Sequence, residues 1–376
     1  MIKKTLSSKG QETFLTQDDA RTIFLKWVEI HQKAKKDKSS KDKIVQAQEQ
    51  EEPEELDNEI TPTLLEVLQS VSPIGFEHVC KRLLREHGFE QDILLLEGAF
   101  ESYEISIAAK MRFNLVVHNL HQLQMIEKLK LNHPIDIHFK INTGMNRLGF
   151  NPKEAKDILK SIKKTSYFKS ITLMTHFATA DEPRGVDWQF DVFNDIANDF
   201  DFSRSVANSA SIINFKNTHL DWVRPGIMLY GASPIVGRKS SALNLKPAMY
   251  LKSKIIALQN LSKDDSVGYG ETFKAKNNMR IAVVACGYAD GYPRHAPSGT
   301  PVYVEGKKTS TVGRISMDML YIDVTDIPHA SISSDVELWG ENIPVDDVAE
   351  KAGTVGYELL CAMSASKRVP IEIIHG

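Results

Sequence analysis

A chain of 376 residues with 42 % hydrophobic and 25 % charged residues is long enough for two domains and apolar enough to bury a sizeable core. Its net charge of −3 supplies no global field toward nucleic acid or a membrane surface. Cys80, Cys286 and Cys361 show no CxxC or Cys/His metal spacing, which argues against a disulfide framework or metal site and for small buried hydrophobes in a reducing compartment.

The start, Met1-Ile-Lys-Lys4, lacks the apolar core of a signal peptide, and no apolar run approaches the ~20 residues of a spanning helix, so a cytoplasmic protein is expected. Ile23, Phe24, Trp27, Val28 and Ile30 predict one short amphipathic helix. From Lys33 to Lys43 the charges are basic and from Glu49 to Glu59 acidic; with so little apolar surface to offset ordering entropy, 33–60 reads as a linker. Helical spacing returns at Leu64, Leu65, Val67 and Leu68, and again at Phe76, Val79, Cys80, Leu83 and Leu84, on either side of Ser72-Pro73. The stretch from Leu64 to Glu90 resembles the opening of the Mrr-type restriction endonuclease domain, over about 14–90, and the text changes at Gln91 or Asp92 before that family's metal-binding acids would be reached.

From Asp92 short apolar strands alternate with amphipathic helices, the signature of a parallel sheet. Strands are expected near Ile93 to Gly98, Phe113 to Asn119, Ile135 to Asn142, Ile171 to Phe177, Ser205 to Ser209 and Trp222 to Gly231. From Ala248 on, short strands with turn signals such as Asp290-Gly291 and Glu305-Gly306 predict a smaller, mostly β domain.

Three motifs carry chemistry: Val267-Gly-Tyr-Gly270, Gly287-Tyr-Ala-Asp-Gly-Tyr-Pro-Arg294 and Gly313-Arg-Ile-Ser-Met-Asp-Met319. Together they resemble the C-terminal domain of alanine racemase, and the likeness extends over about 92–376. It implies an α/β fold: an incomplete (β/α)8 TIM-like barrel over 92–236 with six of eight strands, then a β domain over 237–376, preceded by a helical and linker segment. It also implies pyridoxal phosphate as cofactor, alanine as substrate, and a homodimer in which each C-terminal domain completes its partner's site.

Racemisation removes a proton from one face of the α-carbon and returns one to the other, so two bases are needed. The resemblance assigns Tyr269 to one face; a free phenol has a pKa near ~10 and needs a cation beside it to act as a base. Arg147, in Thr143-Gly-Met-Asn-Arg-Leu-Gly149, matches the arginine that contacts this tyrosine and the substrate carboxylate, and Met317 and Asp318 match the pair offered across the dimer to the same carboxylate. Arg224, in Trp222-Val-Arg-Pro-Gly-Ile227, matches the arginine facing the pyridine nitrogen; guanidinium has no acceptor and stays protonated, so it leaves that nitrogen neutral. Asn208, Ser209, Gly226 and Tyr357 match positions that cradle the phosphate, and His176, in Met174-Thr-His-Phe-Ala178, matches a histidine near the cofactor. Lys140 matches a lysine that is carbamylated in some members and supports the arginine, and Tyr288 is a second supporting residue. Each has a bland alternative: a strand-end arginine or histidine, a tyrosine packed at a turn, a turn at Met317-Asp318.

The family's cofactor lysine stands in a segment reading roughly Val-Lys-Ala-x-Ala-Tyr-Gly-His-Gly. Here the first tyrosine is Tyr103, and no lysine stands four residues before a Tyr-Gly pair. An N-terminally truncated racemase fused to the nuclease-like fragment is therefore expected, crippled on its own. The alternatives are a non-catalytic remnant, a donor of one half-site to an intact racemase subunit, or a DNA-associated module.

Overall fold

A computed structural model of the chain describes residues 90–365, Val369 and three two-residue strands near the start. It divides into two compact units, Met1–Pro225 and Gly226–Gly376. The helices expected at 23–30 and 64–84, the linker at 33–60 and Cys80 lie outside the described residues.

In the first unit the early strands are β1 (Ile2–Lys3), β2 (Thr5–Leu6) and β3 (Glu12–Thr13). Then come β4 (Ile93–Leu95), α1 (Ser102–Lys110), β5 (Phe113–Val117), α2 (Leu120–Leu129), β6 (Ile135–Lys140), α3 (Pro152–Ile162) and β7 (Phe168–Met174). The unit closes with α4 (Asp187–Ala197), β8 (Ser203–Ala207), α5 (Ser209–Asn214) and β9 (Trp222–Val223). Strands β4 to β9 lie side by side in chain order and pair in parallel, which is the six-strand pattern the sequence predicts. Strand β1 was not anticipated: it pairs antiparallel with β9, Ile2 opposite Val223, and two residues are too few to show an alternation.

Local chemistry sets the helix starts. Asn119 Oδ1 accepts from the Gln122 amide and Asn151 Oδ1 from the Lys153 amide, each satisfying a free donor of a first turn, and Pro152 sits where its missing N–H costs nothing. The strand expected from Trp222 to Gly231 is a correction: it stops at Val223, because Pro225 has no N–H for the ladder, and Ile227–Tyr230 turns into a short 3-10 helix.

Period-two alternation splits the sheet into two faces. Leu115, Val117, Ile137, Phe139 and Leu173 are buried, as are Ile105, Ile126, Leu159 and Phe193 on the helices. The opposite face of β6 presents Asp136, His138 and Lys140, and the matching rows of β7 and β8 present Ser170, Thr172 and Ser205. A closed barrel usually fills this face with bulky apolar residues. Here the face is mostly polar, with Val116 and Met174 the buried apolar residues in the same rows.

The second unit holds β10 (Leu251–Leu261), β11 (Ser266–Val267), β12 (Phe273–Lys274), β13 (Met279–Val284), β14 (Pro301–Val304), β15 (Lys307–Ser310), β16 (Leu320–Asp323) and β17 (Asp335–Trp339), then α6 (Val345–Ala352) and α7 (Gly356–Ala365). Six of these strands form one antiparallel sheet in the order β15-β14-β17-β10-β13-β16. Glu305 and Gly306 both have positive φ, the two-residue hairpin turn that joins β14 to β15. The core is centred on Trp339, stacked on Tyr292 at 5.9 Å between ring centroids. Cys286 is buried there, as expected. Cys361 is exposed and corrects the same expectation: Leu359, Leu360 and Met363 take the buried face of α7 and leave position 361 outside it.

Candidate active site

The C-terminal ends of β6, β7, β8 and β9 bring four basic side chains together. In sheet register Lys140 lies opposite Met174, and Met174 opposite Ser205. At about 4.8 Å per strand this puts the backbones of Lys140 and Ser205 roughly 10 Å apart on one face. Arg224 reaches that row: its guanidinium donates to Ser205 Oγ at 2.7 Å, to the Thr175 carbonyl at 2.6 Å and to the Val206 carbonyl at 3.2 Å. Burial lowers its pKa to about 10, so it stays charged at neutral pH.

Lys140 is buried to 9 % exposure and has no hydrogen-bond or ion-pair partner among the described residues. Burial, then the charges of Arg147 and Arg224, push its amine down to about 8. His176, two residues past the end of β7, is pushed down to about 3 by burial and then by Arg224, Arg147 and Lys140. His138 on β6 is lowered to about 3 as well, by burial first and Arg224 second, and its Nδ1 is buried with no hydrogen-bond partner. Arg147 is exposed on the loop between Asn142 and Gly149.

That loop is held by its own residues. Asn142 Oδ1 accepts from the amides of Gly144 and Asn146, and its Nδ2 donates to Asn146 Oδ1 at 3.0 Å. The loop ends are pinned by Asn142 N to Phe150 O at 2.9 Å and Phe150 N to Lys140 O at 2.8 Å. Gly149 has φ +130°, and a Cβ there would meet the Asn142 amide nitrogen at 2.6 Å.

Beneath the cluster runs a buried network that the sequence reading missed. Gln189 of α4 donates through Nε2 to Thr143 Oγ1 and to the His176 carbonyl, and its Oε1 accepts from the Ala178 amide at 2.6 Å. Thr143 and Thr175 share a hydroxyl hydrogen bond of 2.7 Å, and Thr175 Oγ1 donates to the Ile141 carbonyl. The network fixes Thr175, whose carbonyl holds Arg224. One signal was available: Gln189 stands in register with Val186, Phe193 and Ile196 on the buried side of the helix, a polar residue at a core position.

Of the proposed phosphate residues, Asn208 caps α5, accepting from Ser211 N through Oδ1 and donating through Nδ2 to the Phe177 carbonyl. Ser209 is buried in the first turn of that helix. Gly226 opens the second unit, and Tyr357 is exposed on α7.

In the second unit Tyr269 is 72 % exposed, held out between Gly268 and Gly270, both at φ +72°. A Cβ on Gly268 would sit 3.3 Å from the Tyr321 ring, and one on Gly270 would sit 3.2 Å from Arg314 Nη1, so the turn lies against residues 313–321. Met317 and Asp318 are exposed on the tight turn closed by Ser316 N to Met319 O at 2.9 Å. The turn carrying Tyr288 is latched to it, Tyr288 N to Ser316 O and Ala289 N to Met317 O. A Cβ on Gly287 would meet the Met317 carbonyl oxygen at 2.3 Å, which is why glycine stands there. Tyr269, Tyr288, Met317 and Asp318 thus share one rim. A cleft of about 490 Å³ beside it is lined by Arg294, His295 and Arg314 among others, and the Arg294 guanidinium lies 5.8 Å from the Tyr288 ring centroid. Arg294 and Arg314 fall inside the motifs quoted above, and the resemblance assigns neither a role.

Among the described residues no helix is long and apolar enough to cross a membrane, and no three His, Cys, Asp or Glu side chains could hold a metal ion.

The chain is similar to known proteins along most of its length. The alanine racemase N-terminal domain family matches residues 47–234 and the alanine racemase C-terminal domain family residues 248–373. The first match takes in 47–90, ahead of the first strand expected from the sequence. Alanine racemase of Nitrosospira multiformis is 51 % identical over 284 residues, 75 % of this chain and 80 % of the relative. That of Paraburkholderia phytofirmans is 50 % identical over 289 residues, 77 % of this chain and 81 % of the relative. The crystal structure of biosynthetic alanine racemase from Pseudomonas aeruginosa superposes with a TM-score of 0.75 at 40 % identity, covering 80 % of this chain and 83 % of the other. With both domain families matched in order and the basic cluster standing at the strand ends, the chain belongs to the alanine racemase family, whose members interconvert L- and D-alanine and depend on pyridoxal phosphate.

Proposed function

We propose that the basic cluster of the first unit binds pyridoxal phosphate and the carboxylate of alanine, and that Tyr269 moves the α-proton on one face. The observation that carries this reading is the convergence of Lys140, Arg147, Arg224 and His176, whose mutual repulsion no described carboxylate relieves. Such a cluster is costly to keep unless an anion completes it. The donor set therefore fits a cofactor bearing a phosphate and a substrate bearing a carboxylate.

Bound pyridoxal phosphate supplies the electron sink that no side chain can offer. The chain's own residues then do the rest. Arg224 presents a fixed guanidinium to the ring nitrogen, and Arg147 holds the substrate carboxylate. Asn208 and Ser209 hold the phosphate, and His176 flanks the cofactor. Tyr269, Met317 and Asp318 serve the site of another subunit, so the chain works as a homodimer or beside an intact racemase subunit, in the cytoplasm.

We place the division between the barrel portion and the β domain at 236/237; the interval from 235 to 247, between the two family matches, supports it. A nuclease-like fragment at 14–90, fused to a truncated racemase, stands as a proposal on sequence alone, and the racemase match beginning at residue 47 weighs against a junction at Gln91.

Titration with pyridoxal phosphate tests the cluster. Arg224→Met is expected to raise the dissociation constant on the order of a hundredfold. Lys169→Met, at the N-terminal end of β7 on the same sheet, should leave it unchanged. Equal affinities for wild type and Arg224→Met would overturn the assignment.

A further inference from the structure

Resting on the reading that the cluster holds the cofactor, we propose that Lys140 is the amine that bonds covalently to the cofactor's aldehyde in this chain. The resemblance implies only a supporting part for Lys140. The geometry offers more. Lys140 ends β6 on the polar face of the sheet, in the row that continues through Met174 to Ser205, and Arg224 is anchored on Ser205. The amine therefore stands in the same cluster of positive charge as Arg224, the group proposed to face the cofactor's ring. Of the other described lysines of the unit, Lys3 lies on the edge strand β1 opposite Trp222 and Lys169 at the N-terminal end of β7, paired with Asp136 at 3.1 Å; the rest stand on helices and their flanking turns.

Lys140 also has the state that the reaction needs. It has no hydrogen-bond or ion-pair partner among the described residues, so its lone pair is not committed. With its amine lowered to about 8, roughly a quarter of it is unprotonated at pH 7.5, against about one part in a thousand for an ordinary lysine. Free amine is the nucleophile in this chemistry, and burial beside like charge is the usual way to produce it. In the step, Lys140 Nζ attacks the aldehyde carbon, the carbonyl oxygen takes up both amine protons, and water leaves as the C=N bond forms. No oxidant or reductant is required.

The test uses the full chain, in buffer freed of carbon dioxide, which would compete for the same amine. The chain is incubated with one equivalent of pyridoxal phosphate, reduced with borohydride, and digested for mass spectrometry, while equilibrium dialysis measures total binding. The expected result is a pyridoxyl group on Lys140, with labelling that rises as pH passes through about 8. Lys140→Arg should lose the label while retaining its charge and fold, checked by circular dichroism. If Lys140→Arg fails to fold, the label's position in the wild-type chain decides alone. Bound cofactor with no label, or with the label on another lysine, overturns the proposal and leaves the cluster assignment intact. No binding at all overturns both.

Discussion

In the unit Met1–Pro225 the candidate residues are basic groups gathered on a polar sheet face, whereas in the unit Gly226–Gly376 they stand exposed on turns locked by backbone hydrogen bonds. The first arrangement works against folding, because burial and mutual repulsion oppose the charged forms of Lys140, Arg224 and His176. The second places little demand on the fold, since the side chains of Tyr269 and Met317 are largely outside the core. A protein keeps an unfavourable cluster where a ligand completes it, and keeps exposed aromatic and methionine side chains where a partner covers them. The first unit therefore reads as the receiver of the cofactor, and the second as the donor of a tyrosine.

The strongest way to sharpen this contrast is a glycine pair. Gly149→Ala forces a Cβ against the backbone of Asn142 at 2.6 Å, at φ +130°, and should destabilise the first unit by about 3 kcal/mol or more in denaturant unfolding. Gly299→Ala, at φ +91° with nothing within 4 Å, carries only the backbone strain, about 1 kcal/mol. Equal costs would show that the loop carrying Arg147 is not held as described.

Smaller per pH unit is the effect of acid on two buried histidines of the first unit. His138 and His176 have folded pKa values of about 3 against an ordinary 6.5, so between those values the unfolded chain binds protons that the folded chain refuses. Their contribution to stability is complete above pH 6.5 and is lost as pH falls toward 3, each adding a slope of at most about 1.4 kcal/mol per pH unit. His138→Phe should flatten the fall in unfolding free energy over that window. An unchanged slope would contradict the burial of a neutral imidazole.

How far the sequence could be read follows the same division. The six parallel strands announce themselves as apolar runs between helical stretches, and the turns of the second unit as glycine motifs, because both signals are local. The resemblance supplied Arg224 and Arg147, but their convergence depends on strand register, which lies in no single segment. Gln189 gave a local hint that passed unread, since one polar residue on an amphipathic helix is usually solvated. Pro225 ended β9 sooner than its apolar surroundings suggested, and Ile2–Lys3 joined the sheet on two residues that carry no period. Arg294 and Arg314 were quoted within motifs without a role, because a cleft is a property of the folded turns and not of either segment.

The division between receiver and donor is tested most directly by pairing this chain with an intact alanine racemase whose own catalytic tyrosine has been replaced. The two are co-expressed, the heterodimer is isolated through separate tags, and L- to D-alanine conversion is measured. Racemisation restored in the heterodimer, and lost again when this chain carries Tyr269→Phe, is the predicted result. A heterodimer that forms, stays folded and remains inactive would contradict it.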